Sequence, residues 1–275
     1  MNWKVELETK GYCVIPCLTN NEVDFGKNLF KTWWDSNSIN KQPLTSHGII
    51  KHYEIGHTAF AWWCRTRPKV LEIFKKIWCT DDLIVSYDGA CYFPEGVKRK
   101  NTNWLHTDQR PSDSSFKCVQ GFICFTENKT STLMVVPKSH LEHESYMKSK
   151  NLTHSKDWQK VDISLERAIH IEANPGDLIL WDSRVFHQNF YSPEERLVQY
   201  ICYLPRSIAS KADLKKRQKY YKEKRTTSHW PAPIRVNSLQ PQVYGKKDLL
   251  IDYTKLINTN QEVLTRLQQE IKKLI

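Results

Sequence analysis

Glycine is scarce in this chain, nine among 275 residues, which argues against a flexible or low-complexity protein. No stretch approaches the roughly 18–20 uninterrupted apolar residues of a membrane span, and Met1-Asn2-Trp3-Lys4-Val5-Glu6 lacks the apolar core of a signal peptide. The eight cysteines, at 13, 17, 64, 79, 91, 118, 124 and 202, form no CxxC pair and no dense secreted framework. Reduced, mostly buried thiols in a soluble cytoplasmic protein are the expectation. Acidic residues are also in deficit, 30 against 41 Lys and Arg, leaving a net charge of +11. Apolar material is ample: 40% hydrophobic residues, 12% aromatic and ten Trp supply a sizeable core.

The positive charge is local. Residues 206–225 hold nine basic side chains and two acids, so seven of the eleven net charges fall in one segment that reads as a helix. A binding module for nucleic acid spreads basic residues over a docking face, which disfavours that reading without removing it. The remaining choices are a solvated helical face or an attraction for an anionic substrate, a nucleic-acid backbone or a membrane surface.

Gly11–Pro16 reads as a short strand, and Thr19-x-x-Glu22 is a capping box opening a helix to about Trp34. Past a polar stretch with Ser36, Asn37, Ser38 and Pro43, a second helix starts near Pro68 and runs to Trp78. From Leu83 the pattern becomes about nine short β-type runs without intervening helices: 83–87, 91–93, 104–108, 118–126, 133–136, 168–171, 178–181, 185–190 and 196–203. That spacing indicates a sandwich or barrel rather than a parallel α/β sheet. Residues 261–275 carry an apolar stripe on an amphipathic helix.

Within Trp104-Leu105-His106-Thr107-Asp108-Gln109, His106 and Asp108 stand two apart on an expected strand. Alternation then turns both toward one face, about 6.5–7 Å apart, where an imidazole and a carboxylate can converge on one ion. A turn at Gly176-Asp177 leads to a second candidate strand carrying His187, and Arg196 heads a late apolar strand. A guanidinium in such a run needs a carboxylate partner, which its planar fork grips bidentately. Two His and one Asp with open positions make the facial triad of non-haem Fe(II) oxygenases.

This ordered set, with Gly11-Tyr12-Cys13-Val14-Ile15-Pro16 and Val135-Val136-Pro137-Lys138-Ser139-His140, resembles the phytanoyl-CoA dioxygenase family of Fe(II)/2-oxoglutarate-dependent enzymes over most of residues 8–206. The resemblance implies a mainly β fold with flanking helices and a double-stranded β-helix (jelly-roll, cupin-like) core. The expected organisation is one dioxygenase domain over 1–255, with helical support at about 1–80, the β core at about 83–205 and the basic helix at about 206–225. The amphipathic helix at 256–275 completes it. His106, Asp108 and His187 are the implied Fe(II) ligands, and Arg196 the implied holder of the distal carboxylate of 2-oxoglutarate. Gln120 and Thr132 are further candidates for 2-oxoglutarate. Trp104, Gln109, Tyr92, Asn189 and Arg184 are candidates for the pocket of a small-molecule substrate, anionic ones included. Fe(II), 2-oxoglutarate and O2 would together oxidise substrate with release of succinate and CO2, and the presence of Asp108 favours hydroxylation over halogenation. An inactive metal-binding β-helix protein and a nucleic-acid-binding or nucleic-acid-modifying protein are the alternatives. Three departures from the family pattern stand out: Val198 where many relatives have Ser or Thr, Ser131-Thr132 in place of a Gly pair, and Lys138 in place of Gly. The first leaves the partner hydrogen bond to Thr132, Ser131 or Tyr200.

Overall fold

The computed structural model describes residues 2–37, 48–96, 100–241 and 252–275. Ser38 and Pro43 lie outside the described residues. In chain order the elements begin with α1 (Trp3–Lys10), β1 (Tyr12–Pro16), α2 (Asn20–Ser36), β2 (Ile49–Ile50), α3 (Ala59–Arg65) and α4 (Pro68–Trp78). Strands β3 (Leu83–Val85), β4 (Ala90–Phe93), β5 (His106–Thr107), β6 (Val119–Cys124) and β7 (Thr132–Val135) follow, then α5 (Ser139–Ser149). The chain continues through β8 (Gln159–Lys160), β9 (Ile169–His170), β10 (Asp177–Asp182), β11 (His187–Phe190) and β12 (Arg196–Pro205). It closes with α6 (Lys211–Lys222), α7 (Gln261–Arg266) and α8 (Gln268–Leu274). The fold is mainly β with flanking helices, as expected.

These elements group into two compact units, one of residues 1–16 and 93–196, the other of residues 17–92 and 197–275. In the first, β1, β10 and β6 form an antiparallel run of strands. A separate five-stranded sheet has the order β8-β5-β11-β7-β9. Trp181 of β10 meets the His187 ring of β11 at 5.4 Å between centroids, so the inner faces of the two layers touch. In the second unit β12, β4 and β2 are successive neighbours, with β3 antiparallel to β12. Its core includes Phe30, Trp33, Phe60, Trp62, Phe74 and Tyr203, all but inaccessible to solvent.

Local sequence explains most boundaries. Thr19 and Glu22 make the capping box of α2 reciprocally, and Pro68 occupies the start of α4, where its missing N–H costs nothing. Gly11 closes α1 at φ 87°, and a Cβ there would fall 2.5 Å from His140 Nδ1, so both conformation and space require glycine. Seven of the eight cysteines are buried and none forms a disulfide.

Three helices depart from the expected pattern, and α5 corrects the expectation of a β region free of helices. Its buried positions Ser139, His140, His143 and Met147 are mostly polar, so no apolar stripe marks it. Helix α3 is buried on every side and has no periodicity to read, while α1 buries only Leu7. The C-terminal stripe forms two helices, α7 and α8, turning at Leu267.

The basic segment is partly consumed by the fold. Arg217 of α6 is wholly buried and donates to the carbonyls of Pro231, Val85 and Leu274. Arg206 donates to Asp82 and to the carbonyls of Lys273 and Ile275, and Arg225 to that of Asn237. Lys211, Lys215, Lys216, Lys219 and Lys222 are exposed. Tyr221 packs against Trp62 and His57 as an anchor of the helix. No helix among the described residues is long and apolar enough to cross a membrane.

Two predictions follow from this packing. Lys138 adopts φ 66°, a left-handed conformation that strains any residue with a Cβ. Lys138→Gly should therefore stabilise the chain by about 0.5–1 kcal/mol in urea unfolding, despite the looser unfolded state of glycine. Burial lowers the His57 ring to about 3, against the carbonyl of Arg225, with Arg65 and Lys224 reinforcing the shift. The unfolded ring takes its proton first as pH falls, so this contribution is intact above about 6.5 and is lost progressively toward 3. His57→Gln should flatten stability against pH between 6 and 4 by up to about 1.4 kcal/mol per pH unit, measured by urea titration at each pH.

Candidate metal and cosubstrate site

Strands β5 and β11 pair so that His106 stands directly opposite His187. Their rings are 4.4 Å apart between centroids. Asp108 lies just past the end of β5, where its N–H donates to the Ser183 carbonyl at 3.2 Å. The Thr107 hydroxyl donates to that same carbonyl at 2.9 Å. Ser183 thus bends the chain so that the Asp108 carboxylate meets both rings, Oδ1 at 3.7 Å from His106 Nε2 and Oδ2 at 3.3 Å from His187 Nε2. One ligand atom from each residue lies within 4.8 Å of the others.

Backbone carbonyls set the tautomers. His106 Nδ1 is 3.2 Å from the Trp104 carbonyl and His187 Nδ1 is 2.9 Å from that of Val185. A carbonyl only accepts, so each Nδ1 carries a proton, and in the neutral tautomer of each ring the Nε2 lone pair is turned toward the carboxylate. Acceptors facing acceptors repel unless a cation lies between them. A divalent metal satisfies all three donors at once, with the open positions of a facial two-histidine, one-carboxylate set.

Gln120 of β6 donates to Asp108 Oδ2 at 3.0 Å. Phe122 is two residues along β6 and therefore shares the face of Gln120. Over the Phe122 ring, 5.4 Å from its centroid, lies the guanidinium of Arg196. Arg196 thus faces the same interior as the triad. It is wholly buried, and none of its three guanidinium nitrogens has a hydrogen-bond partner. Arg65 and Arg217 are just as buried, yet each donates to backbone carbonyls. An uncompensated buried guanidinium calls for an anion, and a carboxylate matches its fork.

The other expected residues are placed unevenly. Trp104 stacks on His106, ring centroids 4.8 Å apart and planes 14° from parallel. Thr132 donates its hydroxyl to the Ile171 carbonyl, whereas the buried Ser131 hydroxyl has no partner. Gln109 donates to the carbonyls of Asp113 and Ser115 and accepts from the Ser183 hydroxyl, so both ends of its amide hold the loop after the triad. Arg184 grips the buried Asp182 through Nε and Nη2 and the Ser114 carbonyl through Nη1. Asn189 is buried on β11 opposite Leu133. Tyr92 belongs to the second unit, where it packs on Phe30 and Trp34 and accepts from Lys31 Nζ at 3.1 Å. Two aromatic neighbours of the triad escaped the sequence reading. Trp181 meets His187, and its parity with Tyr12–Pro16 pairing was invisible before the sheet order was known. Trp158, half exposed at φ 79°, lies 5.8 Å from the His106 ring in a loop without periodicity.

Two buried histidines and a partly exposed aspartate could together hold one metal ion, beside a guanidinium that could take an anion. The chain belongs to the phytanoyl-CoA dioxygenase family, whose sequence model matches residues 7–191. It is 27% identical over 238 residues to the Ava biosynthesis cluster protein O of Aspergillus versicolor, covering 79% of this chain and 76% of that one. Among solved structures it resembles the non-heme monooxygenase ThoJ at a TM-score of 0.54 and 14% identity, covering 74% of this chain and 77% of that one. HygX from Streptomyces hygroscopicus, solved with nickel and 2-oxoglutarate, aligns with a TM-score of 0.54 and 12% identity, over 74% and 86% of the two chains.

The hydrogen bond from Gln120 makes a specific prediction. Gln120→Leu should leave the fold intact by circular dichroism and weaken Mn(II) binding by about 10–100-fold in calorimetric titration, because Asp108 loses its orienting donor.

Proposed function

We propose that this chain is an Fe(II)- and 2-oxoglutarate-dependent dioxygenase that hydroxylates a small or medium-sized organic substrate. The observation that carries the reading is Arg196, buried without a hydrogen-bond partner on the same inner face as His106, Asp108 and His187. Membership of the family and the fold shared with HygX, whose crystals hold nickel and 2-oxoglutarate, support it. The relationship to a biosynthesis-cluster protein favours a substrate that belongs to a biosynthetic sequence.

In this reading His106 Nε2, His187 Nε2 and an Asp108 oxygen hold Fe(II) on one side, and Arg196 binds the far carboxylate of 2-oxoglutarate. Iron, the cosubstrate and O2 together supply a two-electron oxidation that releases succinate and CO2. The protein's own contribution is orientation and exclusion of water. The carbonyls of Trp104 and Val185 hold the Nδ1 protons, which in the neutral tautomer leaves each Nε2 lone pair for the metal. Gln120 fixes the Asp108 rotamer, while Trp104 and Trp181 shield the two imidazoles with rings. Retaining Asp108 as the third ligand favours transfer of a hydroxyl group rather than a halide. Arg206, Arg217 and Arg225, occupied by acceptors within the fold, leave a smaller basic surface for nucleic acid than the composition alone suggested.

Anaerobic addition of Fe(II) and 2-oxoglutarate should produce a weak visible charge-transfer band, and admission of air should release succinate. His106→Ala should abolish metal binding. Arg196→Ala should retain the metal and weaken 2-oxoglutarate by about 100-fold or more, the loss expected for a buried charge-assisted pair. Folded wild type that gives neither band nor succinate would overturn the enzyme reading, and an Arg196 variant with unchanged cosubstrate affinity would overturn that residue's role.

A further inference from the structure

The second unit contains a cavity of about 460 Å³ that the dioxygenase reading does not use. One wall is aromatic: His57, Trp62 and Tyr221 pack on one another with ring centroids 5.7–6.0 Å apart. The C-terminal helices supply Leu264 of α7 and Ile271 of α8 to the same cavity, along with the polar Gln261, Thr265 and Gln268. A slot between rings and aliphatic side chains suits a flat apolar group.

Two polar features converge on it. His57 is 5% exposed, and its Nε2 lies 3.0 Å from the Arg225 carbonyl. The carbonyl can only accept, so Nε2 bears the proton and Nδ1 offers a bare lone pair. That Nδ1 is buried without a hydrogen-bond partner on a ring that lines the cavity. At the rim stand Lys224, paired with Glu54 at 3.3 Å, and Lys222, whose ammonium has no ion-pair partner among the described residues. The cavity therefore presents an apolar slot, one buried acceptor and one available cation.

We infer that this cavity is a binding site for an aromatic carboxylate bearing an N–H or O–H donor. The ring lies against the Trp62 and Tyr221 wall, the donor meets His57 Nδ1, and the carboxylate meets Lys222. The site uses none of the residues assigned to metal or 2-oxoglutarate, so it stands independently of the proposed reaction.

Indole-3-acetate has all three features and serves as the probe. Calorimetric titration of the full chain in EDTA, without added iron or 2-oxoglutarate, should give one-to-one binding. Methylating the indole nitrogen, or replacing the carboxylate with an alcohol, should each weaken binding by about tenfold, the equivalent of one lost hydrogen bond to a charged or buried group. Leu264→Trp should fill the slot and abolish binding, and Lys222→Glu, an exposed change that spares the core, should weaken it by about tenfold or more. No binding of indole-3-acetate to folded wild type would overturn the site. Equal affinity for the N-methyl compound, displacement by excess 2-oxoglutarate, or indifference to Lys222→Glu would do the same. If Leu264→Trp fails to fold, the Lys222 variant and the two analogues decide the matter.

Discussion

The pairing of β5 with β11 is the constraint on which the site depends. Antiparallel register puts His106 directly across from His187, and neither strand has more than four residues with which to slip. The neighbouring pair β11 to β7 fixes four further positions, so the His187 side of the match is held by a longer ladder. A one-residue slip would turn one imidazole to the opposite face and dissolve the donor set. The Ser183 carbonyl then completes the geometry, because it draws Thr107 and Asp108 inward together.

Electrostatics give this geometry its chemical direction. With both Nδ1 protons held by carbonyls, the neutral tautomers turn two lone pairs and a negative charge toward one another, a donor set that a bound cation would satisfy. Arg196 presents the complementary demand, a positive charge with no acceptor. Arg65 and Arg217 show that this fold can supply carbonyls to a buried guanidinium when it is structural. The contrast is what supports the proposed role of Arg196 toward 2-oxoglutarate. Trp104 and Trp181 surround the histidines with apolar rings, which lowers the local dielectric and strengthens both interactions.

Elements with a clear period or cap were legible from the sequence, and those without were not. The Thr19 and Glu22 capping box and Pro68 announced α2 and α4. Helix α5, whose inner face carries His140 and His143 beside Met147, has no apolar stripe and was not legible. Within the site, His106, Asp108, His187 and Arg196 stood out because charged or ligating residues interrupted strand-like runs. Gln109 and Arg184, beside these runs, were candidates for the pocket, and their groups hold the loop after β5 and the carboxylate of Asp182. A polar residue in an apolar run signals that it has a partner without saying which.

The sequence by itself determined the chemical identity and order of the donors: His, Asp, a distant His, then Arg, with apolar strands to carry them. Tertiary structure alone decided which lone pairs face inward, because the carbonyls of Trp104, Val185 and Ser183 carry no side-chain signature. It also decided that Gln120 braces Asp108, that the Thr132 hydroxyl belongs to Ile171, and that Arg196 is left without an acceptor where Arg65 and Arg217 each donate to backbone carbonyls through Nη1 and Nη2. The physical reason is common to all of these. A hydrogen-bonding group is defined by its partner, and here the partners arrive from strands and loops many residues away.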